Sequence, residues 1–162
     1  MLFKPLKSYK VTSKYGVARC YITEKGEKRT DVHTGVDLYS IQSDEVYASA
    51  YGKVIFTTEN DGTGCKSVVV AYHDQLEHDC TLVVIYSHLD KILVNVGRIV
   101  DDRTVLGLQG STGICTGKHL HVGCYLIPPH IWHRKDGGWY YWDYGTRDLY
   151  EIDPNSVFHF YD

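Results

Sequence analysis

Three short stretches hold the side chains best suited to chemistry: His33-Thr34-Gly35-Val36-Asp37, Tyr86-Ser87-His88 and His119-Leu120-His121. Taken singly each is weak, because a lone histidine is more often a satisfied core or surface residue than a ligand. Geometry sharpens them. In a strand, residues i and i+2 share a face about 7 Å apart. His119 and His121 can therefore point into one site while Leu120 is buried on the other side. His33 and Asp37 would stand about 13 Å apart in a straight strand, too far to share a metal. A bend between them removes the difficulty, and Gly35 is the residue that allows one. Two histidines and one carboxylate make three protein ligands, the number found at a catalytic zinc, with a position left for water. His88 follows an apolar run, Leu82–Tyr86, which places it at a strand end. His88, together with whichever of His119 and His121 does not bind metal, could take a proton from an activated water and deliver it to a leaving amine.

The elements that must position these groups read as strands. Short apolar runs alternate with turn clusters such as Asp61-Gly62-Thr63-Gly64 and Gly110-Ser111-Thr112-Gly113. The expected strands are Lys10–Thr12, Val46–Ala48, Gly52–Thr57, Ser67–Tyr72, Leu82–Ser87, Val105–Gln109 and Leu120–Leu126. No segment keeps a 3.6-residue apolar period over several turns. The expected fold is all-β, mainly antiparallel, with short helical turns at most. Fourteen tyrosines and repeated glycine agree with that reading.

The 162 residues, 43% of them hydrophobic and 23% charged, suit one globular domain over 1–162. No stretch approaches the roughly 20 apolar residues needed to cross a bilayer, so no membrane insertion is expected. The start, MLFKPLKSYK, has no apolar run and no small-residue cleavage site, so no secretory signal is expected either. Charge is uneven. Residues 1–30 carry eight Lys or Arg against two acids, a net of +6, so the remainder carries −9. The plain reading of this arm is a solvated basic surface; contact with an anionic polymer is the alternative. No nucleic-acid motif with interleaved aromatics is present, so no nucleic-acid partner is expected. The five cysteines, at 20, 65, 80, 115 and 124, are odd in number and include no Cys-x-x-Cys pair. Mostly free thiols are expected, and a four-cysteine zinc site is not. Residues 128–150 hold all three tryptophans beside a Gly-Gly turn, and read equally well as a cleft wall or as a hairpin packed on the core.

With these residues in place, the chain resembles the lysostaphin/LytM-type zinc endopeptidases that cut peptidoglycan. The likeness begins at Val11-Thr12-Ser13-Lys14-Tyr15-Gly16 and passes through His33–Asp37, Tyr47-Ala48 with Gly52-Lys53-Val54, and Tyr86-Ser87-His88-Leu89. It continues through Gly97 and Val105-Leu106-Gly107 and ends on Gly110–Gly113 with Thr116-Gly117-Lys118-His119-Leu120-His121. The elements occur in the family's order over about residues 11–126, leaving 127–162 as an aromatic-rich extension and tail.

The resemblance implies one Zn2+ per chain, bound by His33, Asp37 and His121, with His88 and His119 as the catalytic histidines. It implies a compact antiparallel sheet with its site in a groove between loops. The implied activity is hydrolysis of peptide crosslinks or stem peptides of bacterial peptidoglycan, by zinc-activated water attacking the scissile carbonyl. The alternatives are a catalytically inactive relative that binds and activates other wall hydrolases, and a sugar- or nucleic-acid-binding module. Inactive relatives usually lose zinc ligands, and a binding module leaves the five-residue pattern unexplained. Without a signal peptide, the expected route is that of a protein made in the cytoplasm that acts at the wall, as a phage lysin or virion-associated enzyme does; a bacterial protein whose leader has been removed is the alternative. The sequence departs from the family pattern at Lys118, where proline is usual, at Val122-Gly123, and over Ser40–Glu45. Lys118 beside the site would bear on substrate charge preference.

Overall fold

The computed structural model describes residues 2–23, 25–73, 80–127 and 150–162. Its first strands, in chain order, are β1 (Lys10–Ser13), β2 (Ala18–Ile22), β3 (Lys28–Val32), β4 (Val36–Tyr39), β5 (Glu45–Tyr47) and β6 (Gly52–Thr58). Then come β7 (Ser67–Tyr72), β8 (Thr81–Ser87), β9 (Leu89–Ile92), β10 (Ile99–Val100), β11 (Val105–Gln109), β12 (Leu120–Ile127) and β13 (Tyr150–Ile152). One helical turn, α1 (Asn155–Phe158), precedes the C-terminus. The fold is the expected antiparallel β architecture, and no helix among the described residues is long and apolar enough to cross a membrane.

The continuous apolar runs form the middle of the main sheet because they are covered on both faces. The order is β1-β4-β12-β8-β7-β6-β10, with β13 also pairing with β12. From β7 and β8, Val68, Val70, Tyr72, Leu82, Val84 and Tyr86 enter the main core. Their alternates Val69, Ala71, Val83 and Ile85 enter a second cluster on the opposite face. A buried polar knot closes the main core. The Tyr72 and Tyr86 hydroxyls lie 2.8 Å apart, the Ser49 N–H donates to Tyr72, and the Ser49 hydroxyl lies 2.8 Å from that of Tyr86. Burial pushes the Tyr72 phenol up to about 12, so it stays protonated and able to donate.

A second sheet orders β5-β11-β9, and β2 and β3 form a separate two-stranded ribbon. All five cysteines are free thiols. The aromatic stretch at 128–150 lies, apart from Tyr150, outside the described residues.

Candidate metal centre

Register brings the distant stretches together. On β12, Leu120, Val122 and Cys124 point into the main core, so His121 must point out of the other face. β12 lies between β4 and β8, with His121 opposite Asp37 on one side and Ser87 on the other. Directly opposed residues of an antiparallel pair share a face, with Cβ atoms about 5 Å apart. Asp37 and His121 therefore meet, while their neighbours Leu38 and Leu120 pair on the core side. The histidine and carboxylate occupy the polar end of a sheet face that is apolar further along, at Ile85 and Ile127.

His33 arrives from the β3–β4 connection, where its backbone N–H donates to the Val17 carbonyl and its own carbonyl accepts from Gly16. The chain bends at Gly35, as the spacing required. The reason is different from the one the sequence suggested. Gly35 does not adopt a positive φ; it lies against the next strand with no room for a side chain. A Cβ there would fall within 2.7 Å of the His121 ring and closer still to the Val122 carbonyl. Because β12 is held on both sides, it cannot retreat. Gly35→Ala is thus expected to unseat His121 and to cost about 1–3 kcal/mol through overpacking, lowering Tm by roughly 2–12 °C. Thermal unfolding of the metal-free protein, with zinc uptake measured alongside, checks this. A variant matching the parent in both would show that the strand yields.

Three donor atoms converge. His33 Nε2 lies 3.0 Å from Asp37 Oδ1, His121 Nδ1 lies 2.9 Å from the same oxygen, and the two nitrogens are 3.1 Å apart. The His33 and Asp37 side chains are 2% and 8% exposed. His33 Nδ1 sits 2.9 Å from the Lys14 carbonyl oxygen, which can only accept. The ring proton is therefore on Nδ1, and Nε2 presents a lone pair. Burial lowers the His121 pKa, outweighing the pull of Asp37, so this ring is neutral. Burial alone would raise the Asp37 carboxyl, but the hydrogen bond from His121 and then the neighbouring His33 ring hold it well below the usual carboxylate range. With a cation among them, all three atoms can present lone pairs to it. Zinc takes nitrogen and carboxylate oxygen at about 2.0–2.2 Å, and donors about 3 Å apart share a point at that range just outside their own plane. The triad fits a divalent ion in both distance and donor chemistry.

Two further imidazoles lie alongside. The His88 ring centroid is 4.7 Å from that of His119 and 5.9 Å from that of His121. His119 Nε2 stands 3.8 Å from Asp37 Oδ1, outside the close triangle. His88 Nδ1 is 2.7 Å from the Thr112 carbonyl oxygen, and His119 Nδ1 is 2.8 Å from that of Gly117. Both carbonyls accept, which leaves Nε2 of each ring unprotonated in the neutral form. His88 holds a left-handed backbone, φ 62°, and its N–H donates to the Cys65 sulfur at 3.3 Å. Non-glycine residues held in this region cost energy and concentrate at functional sites.

Several neighbours of the site were not legible in the sequence. Cys65 and Thr112 support His88, while Ser13 and Arg19 flank His33 and Asp37. Lys118 is ion-paired with Asp44, whose carboxyl it holds below the usual range, so its charge is already partnered. Cys115 stays in its own loop, 3.2 Å from the Ser111 hydroxyl, and is not among the convergent donors.

The family described as Peptidase family M23 matches residues 31–128. The chain is 32% identical over 123 residues to peptidoglycan DD-endopeptidase ShyA of Vibrio cholerae, covering 74% of this chain and 27% of ShyA. Among solved structures it resembles a zinc-containing peptidase from Vibrio cholerae (TM-score 0.59, 30% identity, 76% of this chain and 36% of that one). It also resembles the catalytic domain of the antimicrobial peptidase lysostaphin from Staphylococcus simulans (TM-score 0.56, 28% identity, 73% of this chain and 80% of that one). The chain spans less than a third of the length of the curated relatives it matches first.

Proposed function

This chain belongs to peptidase family M23, and on that footing we propose that it is a zinc-dependent endopeptidase acting on peptide crosslinks or stem peptides of bacterial peptidoglycan. In this reading His33, Asp37 and His121 hold one zinc ion, and His88 and His119 are the catalytic histidines. The observation that carries it is the close triangle of His33 Nε2, Asp37 Oδ1 and His121 Nδ1 with two more imidazoles beside it. The names of the relatives, a peptidoglycan endopeptidase and a zinc-containing peptidase, support the substrate class and the metal.

Zinc, when bound, supplies Lewis acidity toward a carbonyl oxygen and an acidified water. The chain supplies the rest. Asp37 contributes the negative charge that offsets part of a dication, and the two neutral rings contribute nitrogen donors. Three protein donors leave a coordination position open, as a catalytic zinc requires. His88 and His119 are aimed by carbonyl contacts to their Nδ1 atoms, and each keeps an Nε2 able to accept a proton from water and return it to the departing amine.

Digestion of purified peptidoglycan, followed by mass spectrometry of the fragments with and without a chelator, tests the reading. The expected result is release of peptide fragments carrying new amino termini, halted by the chelator and restored by one equivalent of zinc. Zinc-loaded protein that cuts no peptide bond would overturn it. Stimulation of another wall hydrolase in that case would favour the non-catalytic activator.

A further inference from the structure

We propose that Arg19 is a positioning residue that makes Asp37 a one-oxygen metal ligand and, through Ser13, steadies His33. The inference rests on the zinc-site reading above and concerns a residue outside the stretch matched by the family.

Arg19 lies on the β2–β3 ribbon, which shares no strand pairing with the main sheet. Strand β3 is exposed along its whole length. From the ribbon the Arg19 side chain, 44% exposed, reaches inward to contact the 8% exposed Asp37 carboxylate. The guanidinium donates to Asp37 Oδ2 at 2.5 Å and to the Ser13 hydroxyl at 3.1 Å. The Ser13 oxygen in turn lies 3.1 Å from His33 Nδ1. Ser13 stands opposite Asp37 in the β1–β4 register, so these groups meet by backbone pairing and not by a chance rotamer.

The two oxygens of Asp37 therefore have separate tasks. Oδ1 faces the His33 and His121 nitrogens, while Oδ2 is engaged by Arg19. Freed from Arg19, Asp37 could offer both oxygens to one ion and fill the position that a reacting water needs. Partners that orient metal ligands typically matter by 10–100-fold in affinity. A competing effect exists, since a guanidinium near a dication also repels it. The two effects have opposite signs, so removing Arg19 decides between them.

Co2+ and Zn2+ affinities, measured by competition with a chromophoric chelator, supply the test, together with the visible spectrum of the Co2+ form. Arg19→Ala is expected to bind each metal about 10–100-fold more weakly. Its cobalt spectrum should lose intensity, because added coordination weakens the absorption of a four-coordinate ion. Arg19→Lys should recover only part of the affinity, since both contacts are made by the terminal Nη2 and the lysine chain is one atom shorter. Parent-like or tighter binding in Arg19→Ala, with an unchanged cobalt spectrum, would overturn the role of Arg19. Asp37→Ala separates the two levels: if it binds metal like the parent, or if the parent binds none, the zinc-site reading itself fails.

Discussion

His121→Ala is expected to lose zinc and hydrolysis together while leaving the metal-free fold intact. Structural zinc sites bind with roughly 10 kcal/mol or more, and on that scale losing one of three comparable donors costs about 3 kcal/mol, or more than 100-fold in affinity. The backbone of β12 keeps its pairing with β4 and β8, and the core contacts of Leu120 and Val122 do not involve the imidazole. The Asp37 carboxylate loses its His121 contact but keeps those with Arg19 and His33. The metal-free Tm should therefore fall by no more than a few degrees. At zinc concentrations about 100 times its Kd, the parent gains about 2.7 kcal/mol, equivalent to a Tm rise of roughly 5–11 °C. The variant at the same zinc concentration should gain less than about 0.5 kcal/mol. Differential scanning calorimetry with and without zinc, paired with metal analysis, reads all of this. A variant that keeps the zinc-induced rise, or that stays lytic, would remove His121 from the ligand set.

What could be read from the residues, and what could not, follows from how each signal is encoded. Strand β12 was legible because Leu120, Val122 and Cys124 alternate with polar or small positions, and alternation alone fixes which side His121 takes. Strands β7 and β8 were legible as unbroken apolar runs. Ribbon β2–β3 was not, because charge on both of its faces erases the alternation; Arg19 accordingly read as one more charge of a basic arm. The need for a bend at Gly35 followed from distance. That the glycine is required by a neighbouring strand, and not by its own φ, depends on a pairing some 85 residues away in the chain. Register between β4, β12 and β8 is likewise a property of topology, which local sequence does not carry. The left-handed backbone at His88, which accompanies its Cys65 and Thr112 contacts, leaves no mark on residue type.

The two remaining imidazoles should behave in the opposite way to His121: metal retained, turnover lost. His119 Nε2 lies 3.8 Å from Asp37 Oδ1, against 2.9–3.1 Å among the three donors. His88 is turned through Nδ1 toward Thr112 and contributes no atom to the triangle. Neither is needed to hold an ion, and general acid–base groups typically supply 10²–10⁴-fold in rate. For His88 the substitution must respect its φ of 62°. Alanine there would add backbone strain, whereas asparagine tolerates the left-handed region, so His88→Asn isolates the chemistry. His88→Asn and His119→Ala are each expected to keep one zinc per chain and to lower kcat by about 10²–10⁴ with KM little changed. If the two rings serve successive transfers of one proton, the double variant should fall little below the worse single one, because groups that act as a unit do not add. Turnover of a soluble crosslinked peptide, measured beside zinc content, separates the cases. Loss of zinc to the level of His121→Ala would make the altered histidine a ligand, and unchanged kcat in either variant would leave that ring without a part in the reaction.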